Sequence, residues 1–413
     1  MIHRSVFWLS VFILPVMGFS QSMYSSMGMG DMTLPSTSRA QGLGVHGVAV
    51  PDYQEISLIN PAYWHQLKFT GITTRLQSSK ISDDNGGVNY RSAFDGFNFH
   101  FPIGDVAGIA LGFAPLSYVN YHFLREQSAQ FPNISGTTDT LDYSVELTGN
   151  GGVGSNFFGL GWKVSDRLSL GIAYSLIVGQ IDLRRTMEMA DENFASRYIS
   201  TVANVFGGNL VLGGAFRNLL RKSDNVGLRL EIPLSLRVIK EQEYYNGVVS
   251  PIIESEEITN IAWPLEISIG YQTQLTGRWL AVAEMDYWYP TSDMNTLSPG
   301  TNYSQETGFQ LGGGIELASD YRAEDWWQQL AWRTGVKYRQ YLEANGNGDQ
   351  STGFEWVTGL GVPFGQDANR LDATLHLGKR SGFTSGDPGE TTVGFSIGIT
   401  VSELWFRGGP RNR

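Results

Sequence analysis

Histidine and serine are the residue types in this sequence that could catalyse a hydrolytic reaction. The six histidines lie far apart along the chain, and no two of them have the spacing of a zinc-binding pair. The fold could still bring a serine and a histidine together, and an outer-membrane hydrolase would need such a pair. An enzyme therefore remains an alternative, but we expect that the protein is not an enzyme and that it holds no metal or cofactor.

The glycine-rich stretch 149–154 matches, in its letters, the G-x-G-x-x-G fingerprint of dinucleotide-binding proteins. That fingerprint requires a helix directly after it, because the helix N-terminus holds the pyrophosphate. Here Phe157, Phe158 and Leu160 follow, which is typical of a strand. We therefore expect these glycines to let a long strand bend, bulge or leave a gap in the wall of a sheet. The candidates for this wall kink are Gly149, Gly151, Gly152 and Gly154.

Charged side chains recur at alternate positions of several apolar segments, which places them on one face of a strand. Arg229 and Glu231, for example, alternate with Leu228, Leu230 and Ile232. Mixed signs inside a closed sheet predict a structural network that holds strands or an inserted segment together, and a polar permeation path is the alternative. The predicted lumen network consists of Arg229, Glu231, Arg237, Glu266, Glu284, Asp286, Arg333, Lys337, Arg339 and Asp372.

The elements that must position these residues are strands with a two-residue period. A soluble β-sandwich also alternates, but its strands are about five or six residues long and its polar face is exposed. Here the strands are longer, and the face opposite the apolar one carries mainly Gly, Ala, Ser and single charges, as in the lumen of a transmembrane barrel. We count fourteen such strands. The clearest apolar face is that of Ile261, Trp263, Leu265, Ile267, Ile269 and Tyr271.

Composition narrows the class of protein further. Only 17% of the residues are charged, whereas a soluble domain usually has about 25%. The formal net charge is -11 and no cluster of Lys and Arg appears, which argues against a nucleic-acid partner. The absence of cysteine excludes disulfides, a thiol nucleophile and thiolate metal sites.

The N-terminus divides into two segments before the barrel begins. A cationic start, an apolar run and small residues near Ser20 predict a secretory signal peptide over residues 1–20. Residues 21–65 do not alternate, and we expect them to plug the barrel lumen, although a disordered periplasmic arm is the alternative. The predicted barrel covers residues 66–406 and a periplasmic tail covers 407–413. Short and long connections alternate along the barrel, which predicts short periplasmic turns, long external loops and both termini in the periplasm.

Several short motifs resemble one known family, the FadL-like outer-membrane transporters of long-chain fatty acids and hydrocarbons. The resemblance lies in residues 40–44, in Asn60, Pro61 and Ala62 before the first strand, in 149–152 leading into 158–161, and in 168–171. It implies a monomeric fourteen-stranded barrel whose N-terminal segment plugs the lumen. It also implies that Asn60, Pro61 and Ala62 lie in the plug, and that apolar molecules are captured outside and released through a gap in the wall.

The predicted fold is therefore all-β, a transmembrane antiparallel barrel of about fourteen strands in a bacterial outer membrane. We expect it to contact membrane lipid and lipopolysaccharide and to transport hydrophobic small molecules, fatty acids or hydrocarbons, with lateral release. The alternative function is that of a partner-binding barrel component of a protein secretion system.

Overall fold

The computed structural model describes residues 22–132, 138–190, 195–219, 221–247, 249–292, 303–365 and 369–403. The predicted signal peptide, 1–20, and the predicted tail, 407–413, lie outside the described residues. The helices are short: α1 covers Ser38–Gln41, and three 3-10 helices cover Met23–Ser26, Pro61–Gln66 and Trp326–Gln329. None of the described helices is long and apolar enough to cross a membrane.

The strands form one antiparallel sheet that closes on itself, since β17 pairs with β2 and β10 pairs with β8. In chain order the strands are β1 (Asp31–Met32), β2 (Thr70–Asp83), β3 (Val88–Ile103), β4 (Ala107–Pro132), β5 (Thr138–Lys163), β6 (Leu168–Met189), β7 (Arg197–Arg217), β8 (Asn225–Tyr245), β9 (Ile252–Ile261), β10 (Leu265–Thr276), β11 (Trp279–Tyr289), β12 (Tyr303–Gln305), β13 (Gly308–Leu317), β14 (Ala331–Asn345), β15 (Gln350–Phe364), β16 (Asn369–Arg380) and β17 (Glu390–Glu403).

The barrel wall of the described residues contains fourteen strands, and that prediction is confirmed. β9 and β10 both pair with β8, so they are two halves of one wall strand, and β12 and β13 both pair with β14 in the same way. β1 belongs to the N-terminal segment rather than to the wall. The strand predicted from 257 to 275 is not continuous, because residues 262–264 interrupt it.

Alternation along the strands separates an apolar outer surface from a polar lumen. In β17, Phe395 and Ile397 are 53% and 41% exposed, whereas Ser396 and Thr400 between and beyond them are buried. Apolar side chains that point away from the barrel on most strands form a belt that water would not stabilise. Such a belt fits the hydrocarbon core of a bilayer, and the strands β2 to β17 are therefore treated as membrane-spanning.

Five neighbouring strands, β4 to β8, are much longer than a membrane requires. They have 21 to 26 residues, whereas a tilted transmembrane strand needs about 9–11. The external loop expected at 124–138 is mostly strand, since β4 continues to Pro132 and β5 begins at Thr138. These five strands continue past most of the barrel, together with β9, which pairs with β8 up to Tyr244.

The N-terminal segment, residues 22–67, lies inside the barrel and is called the plug below. Its backbone passes so close to the wall that only glycine fits there. A Cβ on Gly171 would lie 2.3 Å from the carbonyl carbon of Pro61, and one on Gly227 would lie 1.9 Å from the Val48 carbonyl oxygen. The wall glycines whose Cβ would lie less than 3.0 Å from a plug backbone atom are Gly108, Gly161, Gly171, Gly213, Gly227, Gly312, Gly314 and Gly335.

The predicted plug motif lies at the end of this segment. The Asn60 side chain accepts a hydrogen bond from the Ala62 N–H at 3.0 Å and so caps the helix that begins at Pro61. Its amide nitrogen also donates to the carbonyl oxygens of Val48, at 2.9 Å, and of Gly214 in β7, at 3.1 Å. Asn60 therefore fixes the plug both to itself and to the wall.

Two adjacent glycines of β7 allow a direct test of this seating. We expect Gly213→Val to lower the thermal unfolding midpoint of the folded barrel, because a Cβ there would lie 2.3 Å from the Asn60 side-chain oxygen. Overpacking of this kind costs about 1–3 kcal/mol. Gly214→Val is the matched control, since no atom lies closer than 3.9 Å to its Cβ position. Loss of the heat-modifiable folded band on electrophoresis measures the midpoint, and equal midpoints for the two variants would contradict the seating.

Candidate functional site

Buried ion pairs hold the plug to the wall on the side formed by β2, β13, β14 and β16. Arg370 of β16 contacts Asp52 of the plug at 2.8 Å and Glu55 of the plug at 3.1 Å. Arg370 also contacts Asp372 of its own strand at 2.6 Å, and Arg75 of β2 reaches Glu55 at 3.4 Å. All of these side chains are almost fully buried, so each charge depends on its partners.

The guanidinium groups decide which plug carboxyls stay charged. Burial by itself raises the pKa of Asp52, but Arg370 and Arg39 outweigh it and lower that pKa to about 2. Burial raises the pKa of Glu55 to about 7, although Arg370 and Arg75 oppose it. Asp52 is therefore the permanent anion of this network.

A second anchor lies on β11, the wall strand next to β13. The Glu284 carboxylate of β11 accepts hydrogen bonds from three consecutive plug N–H groups, those of His46, Gly47 and Val48, at 2.7, 3.0 and 2.7 Å. A carboxylate that satisfies three backbone donors makes strong, directed contacts. This carboxylate therefore holds the turn of the plug that passes over Gly227 and Gly270.

The structure brings most of the predicted lumen network to the inner face of the wall. Arg229 contacts both Glu231 and Glu266. Arg333 contacts Asp372 at 2.5 Å, and Lys337 contacts Glu355 at 3.1 Å. Asp286 is buried, and Arg339 donates to the Met32 carbonyl oxygen of the plug at 3.1 Å.

Arg237 is the exception, and its predicted place in the lumen is wrong. Its side chain is 56% exposed on the outer face, where it pairs with Glu257 at 2.8 Å. The cause is a β-bulge at Leu234: Pro233 pairs with Asn209 but Ser235 pairs with Gly208, so one extra residue in β8 reverses the faces beyond it. For the same reason Leu236 points inward and is buried.

Three members of the anchor network were not among the predicted residues. Arg75, Glu316 and Arg370 lie on the lumen face, where Glu316 pairs with Arg39 of the plug at 2.6 Å. Arg370 shares its strand face with Asp372, two residues later, and that spacing was the available signal. The plug partners Asp52 and Glu55 had no such signal, because the plug is not periodic.

Above the plug, the concave face of the long strands forms an apolar cleft of about 780 Å³, called the mouth cleft below. Its central row of cross-strand neighbours is Phe123, Leu147, Arg185, Ile199 and Tyr244. Phe123 stacks on Tyr121 with ring centroids 5.3 Å apart. The cleft is thus a largely apolar surface that also carries guanidinium groups, that of Arg185 in the central row and that of Arg125 on the edge strand β4.

The apolar surface continues from the mouth cleft into the lumen. Tyr121 and Leu183 line the cleft and also pack against a buried cluster that includes Ile181, Val205 and Leu236. Below that cluster lies a cavity of about 40 Å³ that is lined in part by Leu34, Leu116 and Trp263. This apolar path therefore continues from the mouth cleft to the plug, since Met29 and Met32 belong to the buried cluster, and it ends at the small cavity, where the paired charges of Arg229, Glu231 and Glu266 also form part of the lining.

The predicted wall kink lies opposite a bulge, but it leaves no gap at that place. Gly151 and Gly152 have φ values of +115° and +151°, and they lie beside the bulge that leaves Leu116 of β4 unpaired. Throughout 149–154, β5 pairs with β4 on one side and with β6 on the other. The wall is therefore bent here and remains hydrogen-bonded.

Among the described residues, the backbone pairing of the wall also fails at other places, and two of them matter for a solute in the lumen. β3 and β4 pair only from Phe97 with Phe113 down to Ile103 with Ala107, although both strands continue upward. This split between β3 and β4 holds β1 of the plug, which pairs with Ser117 and Tyr118 of β4. The second failure is the interruption at 262–264 between β8 and the strand formed by β9 and β10.

A serine, a histidine and a glutamate do meet in the lumen. His376 lies 2.9 Å from Glu355 through Nδ1 and 3.2 Å from the Ser396 hydroxyl through Nε2. Ser396 is the serine of a G-x-S-x-G pattern, 394–398, that sequence reasoning missed. In hydrolases that pattern forms a strand-to-helix turn, whereas here it lies inside β17, and the Ser396 hydroxyl donates to Gln41 of the plug at 2.9 Å.

Ser396 is 3% exposed and contacts the plug, so this chain of hydrogen bonds acts as a further plug anchor. Among the described residues, no group of three or more His, Asp or Glu side chains is arranged to hold a metal ion. The geometry that stands out is therefore a lumen occupied by the plug below an apolar cleft.

Comparison with known proteins places this barrel in a family. The BamG family model matches residues 1–409. The chain belongs to the BamG family. No curated protein sequence matches this BamG-family chain.

Solved structures show which fold the BamG-family chain shares. The CymD monoaromatic hydrocarbon channel has a TM-score of 0.58 at 14% identity, over 93% of this chain and 99% of that one. A Pseudomonas aeruginosa FadL homologue has a TM-score of 0.57 at 13% identity, over 92% and 99%. The Pseudomonas putida toluene transporter TodX has a TM-score of 0.54 at 11% identity, over 91% and 99%. The predicted resemblance to FadL-like barrels is thus confirmed for the fold.

The anchoring role of Arg370 predicts a large difference between two arginine substitutions. Arg370→Met should lower the free energy of unfolding by about 3–5 kcal/mol, because it leaves Asp52 and Asp372 buried without their shared cation. Arg237→Met should change it by less than about 1 kcal/mol, because its pair with Glu257 is exposed to solvent. Denaturant unfolding of the folded barrel in detergent gives both values, and similar losses in the two variants would contradict the anchor.

Proposed function

We propose that this protein carries hydrophobic small molecules, fatty acids or hydrocarbons, across the bacterial outer membrane and releases them sideways through the barrel wall. The observation that carries the proposal is the apolar path that begins at the mouth cleft and ends on the plug. An apolar solute gains free energy when it leaves water for such a surface. A route of this kind selects for solutes that lack strong hydration.

The plug supports lateral release rather than passage along the barrel axis. Its backbone contacts wall glycines around most of the lumen, and its charges are paired with wall arginines and carboxylates. Moving it would expose several buried charges and hydrogen-bonding groups at once. For a solute that has reached the plug, leaving through a break in the wall therefore costs less free energy than moving the plug aside.

The solved structures of the same fold also support the proposal. One of them is a monoaromatic hydrocarbon channel and another is a toluene transporter, and both compound classes are apolar. The arginines at the edge of the mouth cleft would suit a molecule with an anionic head group, and its rings would suit an aromatic one. Palmitate and toluene are therefore the two probes that distinguish these classes.

A substitution in the mouth cleft tests the entry site. Phe123→Ser removes a ring from the concave face, and we expect the Kd for radiolabelled palmitate or toluene to rise about tenfold or more, since one lost apolar contact is worth about 1–3 kcal/mol. Leu124→Ser is the matched control, because Leu124 follows Phe123 and points to the outer side of the same strand, where it is 66% exposed. Equal affinities of both variants and the native protein would exclude the mouth cleft as the binding site.

A second candidate function is the partner-binding role, and one observation favours it. Among the described residues, β4 pairs with β1 and β3 only up to Tyr118, so its edge from residue 121 to 132 has no strand beside it. An open edge of this length can accept a strand from another chain. Crosslinking from single cysteines placed along this edge in intact cells would capture that partner, whereas crosslinking to lipid alone would favour transport.

A further inference from the structure

The interruption between β8 and β10 is a break in the wall that the transport path reaches directly. Pairing stops at Glu231 with Glu266 and resumes at Leu236 with Ile261. Residues 232–235 of β8 therefore form no ladder pair with residues 262–265 on the other side of the break. The break lies in the middle of the 21-residue strand β8, well away from both ends of the barrel.

The sequence itself prevents a ladder from forming at this break. Pro233 and Pro264, one on each side, have no N–H to donate. The bulge at Leu234 adds a residue to β8 at the same level. Both strands are thus unsuited to pairing over the same four residues.

Side-chain hydroxyls replace the missing ladder bonds on one side of the break. Ser292 accepts from the Ala262 N–H at 2.7 Å and donates to the Ala262 carbonyl at 3.1 Å. Thr291 donates to the Trp263 carbonyl at 3.1 Å. Because these backbone groups are satisfied without β8, the break is stable as it stands.

Apolar side chains line the break on both faces of the wall. On the lumen side, Trp263 is buried in the cluster that also contains Ile261 and Leu236, and it lines the 40 Å³ cavity above the plug. On the outer side, Leu234 is 54% exposed in the belt that faces lipid. Trp263 and Leu234 therefore provide apolar surface across the break, and the charges that line the lower side of the small cavity, those of Glu231 and Glu266, are both paired with Arg229.

The split between β3 and β4 has a different character. The cavity of about 230 Å³ beside it is lined by polar and charged groups that include Asp31, Arg91 and Asp95. The Arg91 guanidinium lies 3.7 Å from the centre of the Tyr118 ring, and so it bridges the two strands. β1 of the plug also occupies the split. An apolar solute would have to displace charges and hydrogen bonds there.

We propose that hydrophobic molecules leave the lumen between β8 and β10, beside Trp263, and not through the split between β3 and β4. This inference rests on the proposed function and specifies its exit. The small cavity shows that the exit is closed at rest, so a solute must displace the Trp263 ring. That displacement breaks no ladder hydrogen bond, whereas each backbone group exposed to lipid elsewhere in the wall would cost several kcal/mol.

A disulfide across the break tests the exit, and the native chain has no cysteine to interfere. Ile232→Cys with Leu265→Cys places two thiols at the first unpaired positions of the break, next to the last ladder pair, Glu231 with Glu266. Leu230→Cys with Ile267→Cys is the matched control, because these residues already pair in the ladder of the same two strands. Uptake of radiolabelled toluene into cells is measured for the oxidised and the reduced form of each variant.

We expect the oxidised Ile232–Leu265 variant to lose at least about tenfold in uptake and to regain it on reduction, with no change in the control. Unchanged uptake in the oxidised variant would overturn the exit and leave the proposed function standing. Absence of uptake by the native protein would overturn the proposed function and the exit together.

Photolabelling gives a second readout that does not depend on disulfide formation. Native protein in membranes is irradiated with a trifluoromethyl-phenyl-diazirine, an aromatic hydrocarbon probe, and the labelled residues are mapped by mass spectrometry. Labelling of Trp263 and Leu116, which face the lumen, in excess of Tyr118 supports the exit. Labelling of Tyr118 and Arg91 in excess of Trp263 would overturn it.

Discussion

The close approach of the plug backbone to the wall is the constraint on which the rest of this structure depends. A carbonyl oxygen that lies about 2 Å from where a Cβ would be leaves room for glycine alone, and such a contact with the plug occurs on β4, β5, β8, β13 and β14. Wall glycines let the plug reach the wall backbone, and this proximity lets Asp52, Glu55 and the N–H groups of 46–48 find partners on wall strands. A barrel of this size would otherwise enclose a water-filled channel.

This seating divides the interior into two levels of different chemistry. At the level of the plug, the lumen is polar. Its buried charges form ion pairs between the plug and the wall, and these pairs restrict movement of the plug. Above the plug, the inner face becomes apolar from Val205 and Ile181 up to the rings of Phe123 and Tyr244. The upper level therefore favours apolar solutes, and the lower level denies them the barrel axis.

Alternation alone was enough to predict the fourteen wall strands, because each strand has lipid on one side and the lumen on the other. The alternation gave the wrong face for residues that follow a change in the two-residue period. Arg237, Ile261 and Trp263 were placed on the wrong face because a single extra residue at Leu234, and the interruption at 262–264, reverse the two-residue pattern. Residues 124–132 of the loop expected at 124–138 are strand, because their pairing with β5 continues beyond the membrane.

The plug contacts lay beyond prediction for a different reason. Which wall glycine meets which plug carbonyl depends on the path of a non-periodic segment, and no spacing in the sequence encodes that path. Asn60 was identifiable as a motif, but its bonds to Val48 and Gly214 were not. The glycines at 149–154 could be predicted to bend the wall. The breaks in backbone pairing could not be predicted from them, because these breaks lie between other strands.

The electrical conductance of the purified protein in a planar bilayer tests the central claim, that the seated plug seals the barrel, most directly. An open porin of known conductance in the same bilayer serves as the reference. A sealed lumen predicts no sustained ion current above the bare bilayer at moderate voltage. A steady ohmic current comparable to that of the open porin would contradict it.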